Sequence, residues 1–101
     1  MVTQGQAVLR PHSYPQAREA VQRLTDALVR AAVRGERTPC SDVEHRDLWT
    51  SERQQERALA AQLCTPCPVR SECGEAAEAR GEKWYVFGGV DRSPRPYELK
   101  A

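Results

Sequence analysis

Apolar residues recur at helical spacing along the first third of the chain. Ala17, Val21, Leu24, Leu28 and Ala31 fall three or four residues apart, which predicts one apolar stripe on a helix from about Pro15 to Arg34. Arg18, Arg23, Arg30 and Arg34 lie mainly off that stripe and read as its solvated face. Pro15 suits a first helical turn, and Gly35 suits a helix end. Thr38-Pro39 then breaks the pattern. From Ser41 to Thr50 no clear period is visible, and Leu48 and Trp49 are the large apolar residues there. Ser51-Glu52-Arg53-Gln54 has the form of a capping box, with Ser51 as N-cap and Gln54 at the third helical position, so a second helix is expected to about Leu63. Thr65-Pro66 interrupts it. A third helix is expected from near Pro68 to about Arg80, closed by Gly81. Lys83 to Val90 is rich in β-formers and ends on Gly88-Gly89, a turn signal. Residues 1–14, broken by Pro11, and residues 93–101, with Pro94 and Pro96, read as flexible tails.

The core that this pattern can build is thin. The chain has 101 residues, one small domain, and holds one Phe, two Trp, three Tyr, one Met and no Ile. Much of its 40% hydrophobic fraction is alanine, which buries little. Domains of this size usually need a staple, either disulfides or a metal. The net charge of +1 carries no general nucleic-acid signature. No stretch approaches the length of a transmembrane helix. The N-terminus lacks the apolar run of a secretory signal, so the chain reads as cytoplasmic, where thiols stay reduced.

That matters because the chemistry lies in four cysteines. Cys40, Cys64, Cys67 and Cys73 read C-x23-C-x2-C-x5-C. Four thiolates complete one soft-metal site, for zinc, copper(I) or an iron–sulfur cluster. Structural zinc usually pairs two short knuckles, and here only Cys64/Cys67 makes one. Cys64-Thr65-Pro66-Cys67 also has the form of a redox pair, but the βαβ context of such pairs is missing. A 4Fe–4S cluster accepts one thiolate from each of several elements, though the familiar ferredoxin spacings do not match. Spacing therefore ranks a cluster only somewhat above zinc. His12 and His45 read as solvent-facing, since the cysteines already complete a site.

Two separated motifs carry a family resemblance. Cys64-x2-Cys67-Pro68-Val69-Arg70-x2-Cys73, preceded by Cys40 and followed by Phe87-Gly88-Gly89, is similar to the WhiB-like (Wbl) proteins of actinobacteria and their phages. Leu48-Trp49-Thr50-Ser51-Glu52 resembles the aromatic stretch between the first two family cysteines. The resemblance covers about Pro39 to Arg92. It implies a mostly α, small irregular domain of three to four short helices around a 4Fe–4S cluster held by Cys40, Cys64, Cys67 and Cys73. It also implies a redox- or nitric-oxide-sensitive transcriptional regulator, not an enzyme, that docks on region 4 of the principal sigma factor. Trp49, Trp84, Phe87, Gly88 and Gly89 are then the expected partner surface. The division expected is a helix at 15–37 outside the family core and a cluster-binding domain at 38–92. Tyr85 stands where the family turn has its first Gly, and Phe87 where it has Trp. Because Tyr is disfavoured at the φ values open to Gly, the expectation is a rearranged turn, with Trp84 compensating. Promoter DNA is a further candidate partner, since Arg92 and Arg95 flank a Ser-Pro and an Arg-Pro step can enter an A·T minor groove. No membrane or small-molecule substrate is expected. A thiol–disulfide reductase using Cys64 and Cys67, or a zinc-stapled adaptor, are the rival readings.

Overall fold

The computed structural model describes residues 15–94. In order, its elements are helix α1 (Pro15–Val33), two short 3-10 turns (Pro39–Ser41 and Arg46–Thr50), helix α2 (Gln54–Leu63), helix α3 (Arg70–Arg80), and a hairpin of strands β1 (Val86–Phe87) and β2 (Val90–Asp91). The mostly helical expectation holds. The expected tail at 1–14 and residues 95–101, Arg95 among them, lie outside the described residues. Among the described residues, no helix is long and apolar enough to cross a membrane.

Helix α1 closes as its sequence suggests. The Gly35 and Glu36 amides donate to the Ala32 and Ala31 carbonyls, each at 2.9 Å, the paired bonds of a Schellman motif. Its buried stripe differs from the expected one. Ala17, Ala20, Ala27 and Ala31 are buried, whereas Leu28 is 41% exposed. Ala20 and Ala27 thus join the inner face and Leu28 leaves it, while Val21 stays partly buried. The reason lies in the neighbour: α1 packs along α3, whose buried face is Ala76 and Ala77. The two helices run antiparallel. Ala27 and Ala31 pack with Val69 just before α3, and Arg23 pairs with Glu75 further along. A contact built of methyl groups leaves no room for a leucine. We therefore expect Ala27→Leu to cost about 1–3 kcal/mol through overpacking, while Leu28→Ala stays within about 0.5 kcal/mol. Urea denaturation of the two variants checks this; the expected stripe would give the opposite order.

A second small core lies beyond α3. Trp49, Ala60, Cys64 and Val86 are buried together, with Leu48, Ala61 and Leu63 against them. Among the described residues no large side chain is fully buried, so the core is as thin as composition implies.

The start of α2 corrects the capping box. Arg53, not Ser51, stands at the N-cap position, and it makes no side-chain cap. Ser51 instead accepts the Arg53 amide at 3.0 Å and donates its hydroxyl to Glu56. Its carbonyl is held by Arg57 Nη1 at 3.0 Å. These contacts keep the chain extended through Arg53 and delay the helix to Gln54. Helix α3 likewise begins at Arg70 rather than near Pro68.

The hairpin pairs Val86 with Asp91 and Phe87 with Val90 in antiparallel register. Gly88 and Gly89 both have positive φ, 64° and 83°, as a two-residue type I′ turn requires. Tyr85 nevertheless takes the left-handed backbone, with φ 69°. The left-handed conformation costs a non-glycine residue about 1–2 kcal/mol. Hydrogen bonds on both sides offset that cost: the Tyr85 amide donates to Ser93 Oγ, and the Arg92 amide donates to the Tyr85 carbonyl, both at 2.7 Å. Ser93 therefore belongs to the folded domain, one residue past the boundary expected at 92.

Two arginines pin the hairpin to the helices. Arg57 Nε donates to both oxygens of Asp91, at 3.1 and 3.0 Å, tying β2 to α2. Arg92 donates to the Phe87 carbonyl from Nε at 3.3 Å and from Nη2 at 3.2 Å, and from Nη1 to Glu78 of α3 at 2.6 Å. The Arg92 side chain is only 9% exposed. Its guanidinium is thus engaged within the domain, by Phe87 and Glu78. We expect Arg92→Lys to lower the melting temperature almost as far as Arg92→Ala, because an ammonium on a flexible stem does not reproduce the planar fork that spans Phe87 and Glu78. Calorimetry of both variants checks this.

Candidate metal centre

The site is assembled from four pieces of chain. Cys40 comes from the first 3-10 turn, Cys64 from the end of α2, Cys67 from the turn that follows, and Cys73 from inside α3. All four are unpaired thiols. Together they line one cavity of about 160 Å³. Pro39, Trp49 and Thr50 close one side, and Arg70 sits among the cysteines. Tyr85, Val86, Phe87 and Gly88 of the hairpin form the remaining wall.

The turn between Cys64 and Cys67 links the two small cores. Cys64 is buried with Trp49, Ala60 and Val86, while Cys67 packs against Ala27, Ala31 and Val69. Cys40 is exposed, and Cys67 and Cys73 are partly buried. The site is thus deep on the Cys64 side and open on the Cys40 side.

N–H groups converge on three of the sulfurs. Trp49 Nε1 donates to Cys64 Sγ at 3.3 Å. The Val69 amide donates to Cys67 and the Gly88 amide to Cys73. Burial nevertheless pushes the Cys67 and Cys73 thiols up, outweighing these amides. The neighbouring cysteines add in the same direction, since one thiolate disfavours the next. Burial thus keeps Cys67 and Cys73 protonated more readily than free thiols, and metal uptake would release their protons.

In this arrangement the sulfurs stand further apart than a single bound ion would hold them. Zinc at about 2.3 Å from each sulfur places tetrahedral thiolates only about 3.8 Å apart. No three of the cysteine sulfurs lie within 4.8 Å of one another. A four-iron cluster, with one iron per thiolate, separates its ligands more than one ion does, and the N–H donors suit its electron-rich sulfurs. The donor set and the cavity therefore fit a cluster.

Among the described residues, the group of ligand-type side chains that does lie within 4.8 Å is Asp42, Glu44 and His45, all exposed. His45 Nδ1 is 2.8 Å from Asp42 Oδ2. That contact pulls the His45 pKa up and holds the Asp42 carboxyl below the usual range. His45 is solvent-facing, as expected, and lies outside the cavity lining.

The family profile described as "Transcription factor WhiB" matches residues 35–97. The chain belongs to the WhiB family. It is 43% identical over 51 residues to the transcriptional regulator WhiB7 of Mycolicibacterium smegmatis, covering 50% of this chain and 48% of that protein. It is 41% identical over 51 residues to the probable transcriptional regulator WhiB7 of Mycobacterium tuberculosis, covering 50% and 54%. It is 38% identical over 48 residues to the redox-responsive transcriptional regulator WhiB3 of Mycolicibacterium smegmatis, covering 48% and 50%. The chain spans about half the length of each of these relatives. No solved structure matches it. Helix α1 lies before the matched residues, yet it packs on the cysteine-bearing helix.

The expected partner residues divide. Trp49 is only 7% exposed and faces Cys64. Trp84 is 52% exposed, and Val90, which sequence reasoning passed over, is 50% exposed on the other arm of the hairpin. Phe87 and Gly88 line the cavity, and Gly89 is partly buried beside Arg70 and Cys64. The signal for Val90 was present in the two-residue turn, which places it opposite Phe87.

Proposed function

We propose that this chain is a cytoplasmic transcription regulator that holds a 4Fe–4S cluster on Cys40, Cys64, Cys67 and Cys73 and docks through its hairpin on region 4 of the principal sigma factor. The observation that carries this reading is the single cavity lined by all four cysteines and walled by the hairpin. Membership of the WhiB family supports the regulatory role. A cluster bound there supplies a one-electron centre that oxidants or nitric oxide can attack. The cysteines themselves act as ties. They join the Cys40 turn, the end of α2 and the start of α3 at one point, and they hold Val86 and Phe87 against it. Loss of that anchor releases the hairpin and the exposed Trp84 with it, so the state of the site gates docking.

The rivals are less well supported. A reductase needs an accessible, readily ionised thiol, whereas Cys64 is buried and the Cys67 thiol is pushed up. A zinc adaptor would have to draw the sulfurs closer than they stand here. If promoter DNA is touched, the contact falls to residues beyond Pro94 such as Arg95, because Arg92 is committed to Glu78 and Phe87.

The test is reconstitution followed by binding. The loaded protein should be brown, with a broad absorbance shoulder near about 400 nm and four irons and four sulfides per chain, roughly. It should bind purified sigma region 4, and the apo protein should not. Trp84→Ala should weaken binding by at least about tenfold, as removal of an exposed aromatic anchor does. A colourless zinc-loaded protein, or a loaded protein with no affinity for region 4, would reject the reading.

A further inference from the structure

Trp49 is buried next to a sulfur, and that contact has a chemical consequence. An indole N–H can only donate, and a buried donor without a partner is costly. Here the partner is Cys64 Sγ, 3.3 Å from Nε1. Both side chains sit in the same small core with Ala60 and Val86, each 7% exposed, so water does not compete for the bond. A neutral thiol is a weak acceptor, whereas a thiolate, free or metal-bound, is a strong one. The bond therefore strengthens as negative charge builds on this sulfur.

Two other sulfurs receive donors, but from the backbone: the Val69 amide to Cys67 and the Gly88 amide to Cys73. Any residue at 69 or 88 that kept the fold would keep those bonds. The Trp49 bond depends on one side chain. A phenylalanine at that position would preserve much of the ring packing and delete the donor.

We propose that Trp49 is a positioning residue that sets the reduction potential of the centre, by donating its indole N–H to Cys64 Sγ and fixing that side chain toward the cavity. This rests on the cluster reading above. The redox step is the uptake of one electron by the oxidised cluster from an external one-electron reductant such as dithionite. No bond is made or broken, and the added charge is shared by the cluster and its thiolates. Trp49 favours the reduced form, because the sulfur it contacts is then more negative. Its presence raises the potential and makes the reduced state easier to reach.

The experiment is a dithionite redox titration of the reconstituted full chain, wild type beside Trp49→Phe. Removal of the donor should shift the one-electron equilibrium toward the oxidised form by roughly tenfold, about 59 mV to lower potential. A second variant replaces Trp49 by β-(3-benzothienyl)alanine, which keeps the bicyclic shape and lacks the N–H; it should show the same shift. Resonance Raman gives an independent readout. The iron–thiolate stretching bands of the wild type should move on transfer to D2O, and part of that movement should vanish in both variants. If Trp49→Phe does not take up iron and sulfide, the isosteric variant carries the comparison. Equal potentials in wild type and isostere, with both fully loaded, would overturn the tuning role and leave the cluster reading intact. A wild type that takes up no iron and sulfide would overturn the cluster reading, and the tuning role with it.

Discussion

Gly88→Ala is expected to unfold the domain or nearly so. The hairpin turn crosses α3 at Gly74 with backbone against backbone. A Cβ on Gly88 would lie 2.5 Å from Gly74 Cα, 2.6 Å from Gly74 N and 3.1 Å from the Arg70 carbonyl. None of these atoms is the tip of a side chain that can swing away. Gly88 also has φ 64°, which an alanine adopts only at a cost of about 1–2 kcal/mol. Overpacking adds about 1–3 kcal/mol. The sum, about 2–5 kcal/mol, rivals the whole stability of a small domain. The reciprocal change is expected to behave differently. A Cβ on Gly74 would meet Arg92 Nη2 at 3.8 Å and Gly88 Cα at 3.9 Å, which is ordinary contact. Gly74 lies inside α3, where alanine is the better helix former by about 1 kcal/mol. Gly74→Ala should therefore be neutral or stabilising. Urea unfolding of the two variants, followed by circular dichroism, decides the matter. Similar losses from both would rule out a backbone crossing of this kind.

The second large effect is expected from the deepest cysteine. Cys64→Ala should abolish iron and sulfide uptake, and it should also loosen the half of the protein that does not depend on α1. Cys64 is a member of the core that includes Trp49, Ala60 and Val86, and its sulfur accepts the Trp49 N–H. Its loss leaves that donor buried without a partner, at about 1–3 kcal/mol. Cys40→Ala should abolish or weaken uptake too, but Cys40 is exposed and belongs to neither core, so its direct cost to packing is small. Hydrogen exchange on the metal-free proteins separates the cases. In Cys64→Ala, amides of α2 and the hairpin should exchange faster than in apo wild type. In Cys40→Ala they should match it. In loaded wild type, the same amides should be the most strongly protected, because metal binding and folding are linked in so thin a core.

Much of this was legible in the chain. Three helices followed from period and punctuation, and Gly88-Gly89 announced the hairpin. The cysteine spacing together with Pro68-Val69-Arg70 pointed to the family. What was missed has physical causes. The inner face of α1 does not follow the large apolar residues, because the facing surface of α3 selects methyl groups. Ser51 matches a capping box by residue type, but Arg57 and Glu56 claim its carbonyl and hydroxyl, and Arg57 is itself held by Asp91 far along the chain. Tyr85 was expected to reject a left-handed backbone. The bonds that hold it there come from Arg92 and Ser93, residues that read as the edge of a tail. Trp49 looked like an exposed anchor because aromaticity does not reveal which way a ring points. In each case the deciding partner lies outside the local window.

The order in which the chain is made gives the hairpin a further significance. Cys40, Cys64, Cys67 and Cys73 all precede the segment Tyr85–Gly88 that completes the cavity wall. That segment is itself held by Arg92 and Ser93. A chain emerging from the ribosome therefore carries all four thiols before it has a cavity to put them in. On the cluster reading, stable loading therefore calls for residues 85–93 as well as the four cysteines, because they complete and hold the wall.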